Sequence, residues 1–307
     1  MAGWTHVRFL VFGAGALGSL VGALLSLNHE TVLVGRKSHV AAIRREGLRI
    51  SGKTVLVAHP EAVEALPRDA DPEVVVVSVK AYDTPRVAQV LTPLAETAIF
   101  LSLQNGLGNE ETLAASGARV LGGVTNQGIT FLGPGEVHHA GSGDTYIGPF
   151  ERTGREEAGR VVDAFEESGL PSHLVEDIRG ELWLKAIVNA CINPLTALLR
   201  VPNGYVLETG TTRQIVRDVI REGVEVAGRY DVDLDTDAVF ERVASVVRGT
   251  AENRSSMLQD LERGRRTEID AINGAIARLG GERDQPAPTN ALLAQLIGAA
   301  ESAPTTE

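Results

Sequence analysis

The stretch FLVFGAGALGSL, residues 9–20, constrains the fold more than any other part of this chain. An apolar run leads into Gly13, Gly15 and Gly18, spaced G-x-G-x-x-G, and then into a segment of helical periodicity. In a strand–turn–helix context the first glycine permits the tight turn. The second lets a pyrophosphate approach the backbone, and the third lets helix and strand pack closely. The helix N-terminus then faces the negative charge. Three glycines by themselves mark only a turn; the pattern that follows makes a dinucleotide-binding βαβ unit the better reading.

Short β-branched runs alternate with helical stretches through the first half. Residues 7–13 (VRFLVFG), 31–35 (TVLVG), 54–58 (TVLVA), 74–80 (VVVVSVK) and 98–103 (AIFLSL) read as strands, several continuously apolar, as parallel strands covered on both faces are. Helical patterns cover 15–27 and 38–47. Residues 119–150 are punctuated by glycine and read as antiparallel strands with tight turns, followed by a helix over 154–169 and a short strand over 172–177. From about residue 178 the periodicity is helical, over 181–192, 211–230, 237–249 and 267–280. The expected fold class is α/β: an N-terminal Rossmann-type doubly wound sheet domain, 1–176, that binds NADP, and an all-α C-terminal substrate and catalytic domain, 177–307.

Composition narrows the partners. A chain of 307 residues has room for two domains. Its formal net charge of −11 argues against a nucleic-acid or anionic-membrane partner, which needs a basic footprint. The single cysteine, Cys191, excludes an intramolecular disulfide and reads as a buried small residue. The seven histidines show no metal-ligand spacing, and His138-His139 reads as structural. The N-terminus lacks a basic n-region, and the apolar run after it, which ends at Asn28-His29, reads as strand, turn and helix rather than as a signal or a span. A cytoplasmic protein with a small-molecule partner is expected, and a homodimer is left open.

The end of the second strand discriminates between cofactors. Versions that bind NAD place an acidic residue there for the ribose hydroxyls. Here Arg36-Lys37 follows, with no carboxylate, and an arginine fork suits the 2′-phosphate of NADP. Lys80 and Asn105 also follow strands. If those strands are parallel, Gly13, Arg36, Lys80 and Asn105 share one rim of the sheet, where open α/β sheets bind ligands.

In the second half, Lys185, Asn189 and Asn193 are spaced four and four. Each step drifts only about 40° around a helix, so the three share a face. An amine and two amides among apolar neighbours are costly unless they line a polar cavity. Pro194 is expected to disrupt the helix there. A surface ion pair between Lys185 and Glu181 is the competing account. A second polar cluster spans Asn253 to Asn273. Glu268 and Asp270 lie in a predicted helix, where positions two apart differ by about 200° and point to nearly opposite sides.

The chain resembles the ketopantoate reductases (2-dehydropantoate 2-reductases) over nearly its whole length. The resemblance rests on FGAGALGS, the VK ending in Lys80, SLQNGLGN, GEVHHAGSG, LWLKAIVNACINPLTA and NRSSMLQDLERGRRTEIDAING. It implies reduction of 2-dehydropantoate to pantoate with NADPH, on the route to pantothenate and coenzyme A, in a cleft between the two domains. It implies that Lys185 is the catalytic lysine and Glu268 the carboxylate that supports it. Asn105, Asn189, Asn193, Asn253 and Ser256 match substrate-binding positions. Gly13, Ala14, Gly15, Ala16, Leu17, Gly18, Arg36, Lys80 and Asn105 match the cofactor side. The alternatives are a reductase of a related branched 2-oxo acid, a 3-hydroxyacid dehydrogenase with a similar Lys-x-x-x-Asn helix, and a non-catalytic NADP-binding sensor.

Overall fold

The computed structural model describes residues 6–303. They form two compact units. The first holds the described residues up to Gln104 together with Asn109–Ile178, and the second holds Asn105–Gly108 together with the described chain from Arg179 onward.

The first unit contains β1 (Arg8–Phe12), β2 (Glu30–Val34), β3 (Leu48–Gly52), β4 (Leu56–Ala58), β5 (Glu61–Val63), β6 (Val74–Val77), β7 (Ile99–Ser102), β8 (Arg119–Thr125), β9 (Gly128–Gly133), β10 (Glu136–Gly141), β11 (Thr145–Glu151) and β12 (Ser172–Leu174). Its helices are α1 (Ala16–Leu25), α2 (Lys37–Glu46), α3 (Thr84–Leu91), α4 (Asn109–Ala114) and α5 (Arg155–Glu167). The main sheet has eight strands in the order β12-β11-β8-β7-β6-β1-β2-β5. From β5 across to β8 every neighbouring pair is parallel, and β11 joins β8 antiparallel. The continuous apolar runs follow from this placement. Phe9, Val11, Val74 and Val76 bury on one face, while Leu10, Val75, Val77 and Phe100 bury on the other.

The glycine-punctuated region forms antiparallel strands, as expected, but they are shared between two sheets. β8 and β11 do pair antiparallel, as do β9 and β10, but the two pairs lie in different sheets. β9 and β10 join β3 and β4 in a four-stranded sheet, with β10 running parallel to β3. Alternation and glycine spacing mark strands and turns; they do not name a strand's partner, which is a non-local choice. The buried His39 ties this sheet to the helices. Its Nδ1 accepts the Gly135 N–H at 2.9 Å, and its Nε2 lies 2.9 Å from Ser19 Oγ.

The second unit is built from α6 (Ile178–Leu199), α7 (Gly210–Gly228), α8 (Thr236–Gly249), α9 (Ser256–Glu262), α10 (Asn273–Glu282) and α11 (Pro288–Ser302). Thr209, Asp235 and Ser255 cap α7, α8 and α9 by accepting a backbone N–H. No side chain at its own N-cap serves α11. Glu222 of α7 does so, accepting the Thr289 and Asn290 N–H groups at 2.9 and 3.0 Å. α6 is long and apolar enough to cross a membrane by length and composition, but 72% of its apolar window is buried inside the protein.

Two local expectations are corrected. α6 runs through Pro194 to Leu199. The helical bond that proline deletes would have used the Ala190 carbonyl, which instead accepts Asn273 Nδ2 at 3.2 Å. Residues 267–280 are not one helix either. A 3-10 turn at Ile269–Ala271 precedes α10, and Thr267 Oγ1 takes the Ile269 N–H, a side-chain bond that competes with helical pairing.

Candidate active site

The glycine loop of the first unit is held from two sides. The Val34 carbonyl, at the end of β2, accepts both the Gly13 and Ala14 N–H groups at 3.1 and 2.9 Å, and Ser78 Oγ donates to the Gly13 carbonyl at 3.0 Å. The three glycines then serve different ends. Gly13 has φ of +110°, and a Cβ there would lie 2.7 Å from the Val79 side chain. A Cβ on Gly18 would collide with the Gly13 carbonyl oxygen. Gly15 is neither left-handed nor crowded: its nearest neighbour to a Cβ would be the Gly13 oxygen at 3.9 Å. Chain packing therefore requires Gly13 and Gly18 but not Gly15, and the space kept at Gly15 fits a ligand that approaches the backbone. Gly15 is also the N-cap of α1, with Ala16, Leu17 and Gly18 opening the helix.

Arg36 and Lys80 follow the carboxyl ends of β2 and β6, both parallel to β1. Gly13, Arg36 and Lys80 therefore share the rim that the sequence placed them on. Arg36 is exposed at the N-cap of α2, and Lys37 and Ser38 beside it are exposed as well. Lys80, half-buried, is the N-cap of the 3-10 turn Ala81–Asp83. Asn105, three residues past β7, belongs to the second unit.

In that unit Lys185, Asn189, Asn193 and Thr196 lie along one face of α6, over roughly 16 Å at about 1.5 Å per residue. Lys185 keeps some solvent exposure as a residue, yet its amine is enclosed. Burial lowers its pKa to about 8, and the negative charge of Glu268 pulls in the other direction. Asn193 and Glu268 are buried, and Asn189 is half-buried. Cys191 is buried too, and burial pushes its thiol up, away from reactivity.

The second polar cluster meets this stripe at both ends. At one end, Glu268 couples to Lys185. At the other, Thr196 Oγ1 donates to Ser255 Oγ at 2.7 Å, with both residues buried. Asn253 and Ser256 flank Ser255 and are exposed. The Asn253 carbonyl accepts the Asn203 N–H at 2.9 Å, which braces that loop. Asn105 arrives by a third route. The Leu107 N–H donates to the Ala271 carbonyl at 2.8 Å, and a Cβ on Gly106 would lie 2.5 Å from the same oxygen. Ala271 is three residues past Glu268. Sequence reasoning misses Thr196 and Ser255, although Thr196 continues the four, four, three spacing of the stripe.

The family model described as ketopantoate reductase PanE/ApbA matches residues 9–152, and its C-terminal companion matches 177–301. The 2-dehydropantoate 2-reductase of Archaeoglobus fulgidus is 41% identical over 96% of this chain and 98% of its own length. The chain belongs to the ketopantoate reductase family. The Pyrococcus horikoshii 2-dehydropantoate 2-reductase is 37% identical over 96% of this chain and 98% of its own. Among solved structures, a PanE/ApbA family ketopantoate reductase from Ralstonia eutropha superimposes with a TM-score of 0.89 at 32% identity, covering 96% of this chain and 98% of that one. D-mandelate dehydrogenase, solved with NADH and anilino(oxo)acetate, gives 0.90 at 27% identity with the same coverages. The Rossmann-type sheet followed by a helical unit is thus the architecture of the family.

Proposed function

We propose that this chain is an NADPH-dependent 2-dehydropantoate 2-reductase, with residues 1–176 serving the cofactor and 177–307 the substrate. The observation that carries the reading is Lys185: an amine whose pKa burial lowers to about 8, under the opposing charge of Glu268, at one end of a stripe of amides. The Gly13–Gly18 turn with its open position at Gly15 supports a dinucleotide, and Arg36, without a neighbouring carboxylate, supports NADP over NAD. Lys80 and Asn105 complete the cofactor set. When bound, the reduced nicotinamide supplies the hydride.

Reduction of a C2 ketone places negative charge on the carbonyl oxygen. Lys185 stabilises that charge and donates the proton. Glu268 holds Lys185 in its ammonium form and accepts a hydrogen bond from a substrate hydroxyl. Asn189, Asn193, Asn253 and Ser256 orient the substrate's carboxylate and hydroxyl without adding charge. The step belongs to pantothenate biosynthesis, in a cytoplasmic setting.

The test follows NADPH absorbance with purified protein against 2-dehydropantoate, simpler branched 2-oxo acids and a phenyl-substituted 2-oxo acid. The proposal expects the highest kcat/KM with 2-dehydropantoate. A preference for the phenyl compound would move the chain toward a mandelate-type activity, and no NADPH consumption with any of them would leave a binding protein.

A further inference from the structure

We propose that Asn273 is a positioning residue for the substrate amides of α6, acting by taking the place of the backbone N–H that Pro194 lacks. The inference rests on the reading above. Proline at 194 weakens α6 in two ways. It supplies no N–H to the Ala190 carbonyl one turn earlier. It also disfavours helical geometry at the residue before it, which is Asn193. The weak point therefore falls between Asn189 and Asn193, the two amides proposed to orient the substrate. The helix nevertheless continues to Leu199.

The replacement donor is built in. Asn273 is fully buried, and its Nδ2 donates to the Ala190 carbonyl at 3.2 Å and to Asn290 Oδ1 at 3.0 Å. Asn290, also fully buried, donates from Nδ2 to Glu222 Oε2 at 2.9 Å. Glu222 in turn accepts the backbone N–H groups of Thr289 and Asn290 that open α11. Three buried side chains thus run from the start of α11 to the one carbonyl that proline leaves over. With an ordinary residue at 194 that carbonyl would be spent inside α6. Proline frees it as an attachment point, and Asn273 fixes the turn that carries Asn189 and Asn193.

The test is a double-mutant cycle between N273L and P194A, because alanine at 194 restores the missing N–H. N273L should raise KM for 2-dehydropantoate about tenfold while KM for NADPH stays within about twofold, as expected when binding through the amides is lost. P194A alone should stay within about threefold of the parent, since a carbonyl accepts two donors. In P194A/N273L the KM should return to within about threefold of P194A. An unchanged KM in folded N273L, or losses that simply add in the double variant, would overturn the proposal. N273S gives the same cycle should N273L not fold. Amide exchange over residues 191–197 should quicken in N273L and slow again in the double variant. This readout needs no turnover, so an inactive parent would sink the proposed function while exchange still judged the role of Asn273.

Discussion

The Glu268 carboxylate acts on the Lys185 amine inside the helical unit: burial drives the amine's pKa down to about 8, and the carboxylate's charge raises it from where burial alone would leave it. For ketone reduction the acid must be protonated. Activity should therefore be full below about pH 8 and fall as pH rises through it. The alkaline limb of kcat/KM reports this group in the free enzyme. Replacing Lys185 by Met should lower kcat by about 10²–10⁴. A limb that stays near pH 10 would contradict an enclosed Lys185 as the acid.

Glu268→Gln removes the influence that raises the amine's pKa, so the alkaline limb should move to lower pH and kcat should fall. Asp270→Asn should change little, because Asp270 is exposed and paired with Arg266 at 3.0 Å. Steady-state kinetics of both variants across pH 6–10 decides between the two carboxylates.

The glycines separate by mechanism. Gly15→Ala should leave the melting temperature nearly unchanged but weaken NADPH binding by about tenfold or more, since an added Cβ meets open space in the chain and obstructs a ligand. Gly18→Ala should destabilise the first unit, because its Cβ runs into the Gly13 carbonyl. Calorimetry with NADPH titration reads both, and a stable Gly15→Ala variant with parental affinity would remove Gly15 from the cofactor site.

Arg36→Ala should weaken NADPH relative to NADH by about ten- to a hundredfold, given roughly 1.5–3 kcal/mol for hydrogen bonds to charged groups. Equal loss with both cofactors would remove the phosphate assignment.

His39 should make the first unit sensitive to acid. Burial lowers its pKa below the ordinary 6.5, so the folded state favours the neutral ring. The unfolded chain takes up a proton near pH 6.5 that the folded state resists. Stability is therefore complete above that pH and declines as pH falls through 6.5 toward the lower folded value. His39→Gln should be less stable at pH 7 and should lose less on acidification, as urea titrations at pH 7 and 5 would show. An identical acid slope in parent and variant would place the sensitivity elsewhere.

Much of this was legible in the residues themselves. The strands of the main sheet announce themselves because both faces bury, which leaves Val74–Val77 wholly apolar. The stripe on α6 is readable because four-residue spacing survives folding unchanged. Other features were not readable. The partners of β9 and β10 depend on which distant strand offers a matching edge. The donor that meets the carbonyl Pro194 leaves over is Asn273, far along the chain, and the turn after Glu268 is accompanied by a Thr267 side-chain bond that competes with the helix. Asp270 does point away from Glu268's surroundings, but the reason is a 3-10 turn and an ion pair with Arg266, not helical phase.

The apolar character of α6 has a consequence for how the protein is made. The other α-helices of its unit lie downstream, from Gly210 to Ser302. On the ribosome α6 therefore emerges about a hundred residues ahead of the last of them, an interval of roughly 5–20 s at ordinary elongation rates of about 5–20 residues per second. During that interval the sheet-bearing unit is already complete in sequence, while the helix that carries Lys185 offers an uncovered face to chaperones, to membranes and to other nascent chains. Slow synthesis beyond residue 199 should thus be more damaging to yield than the same delay before residue 178.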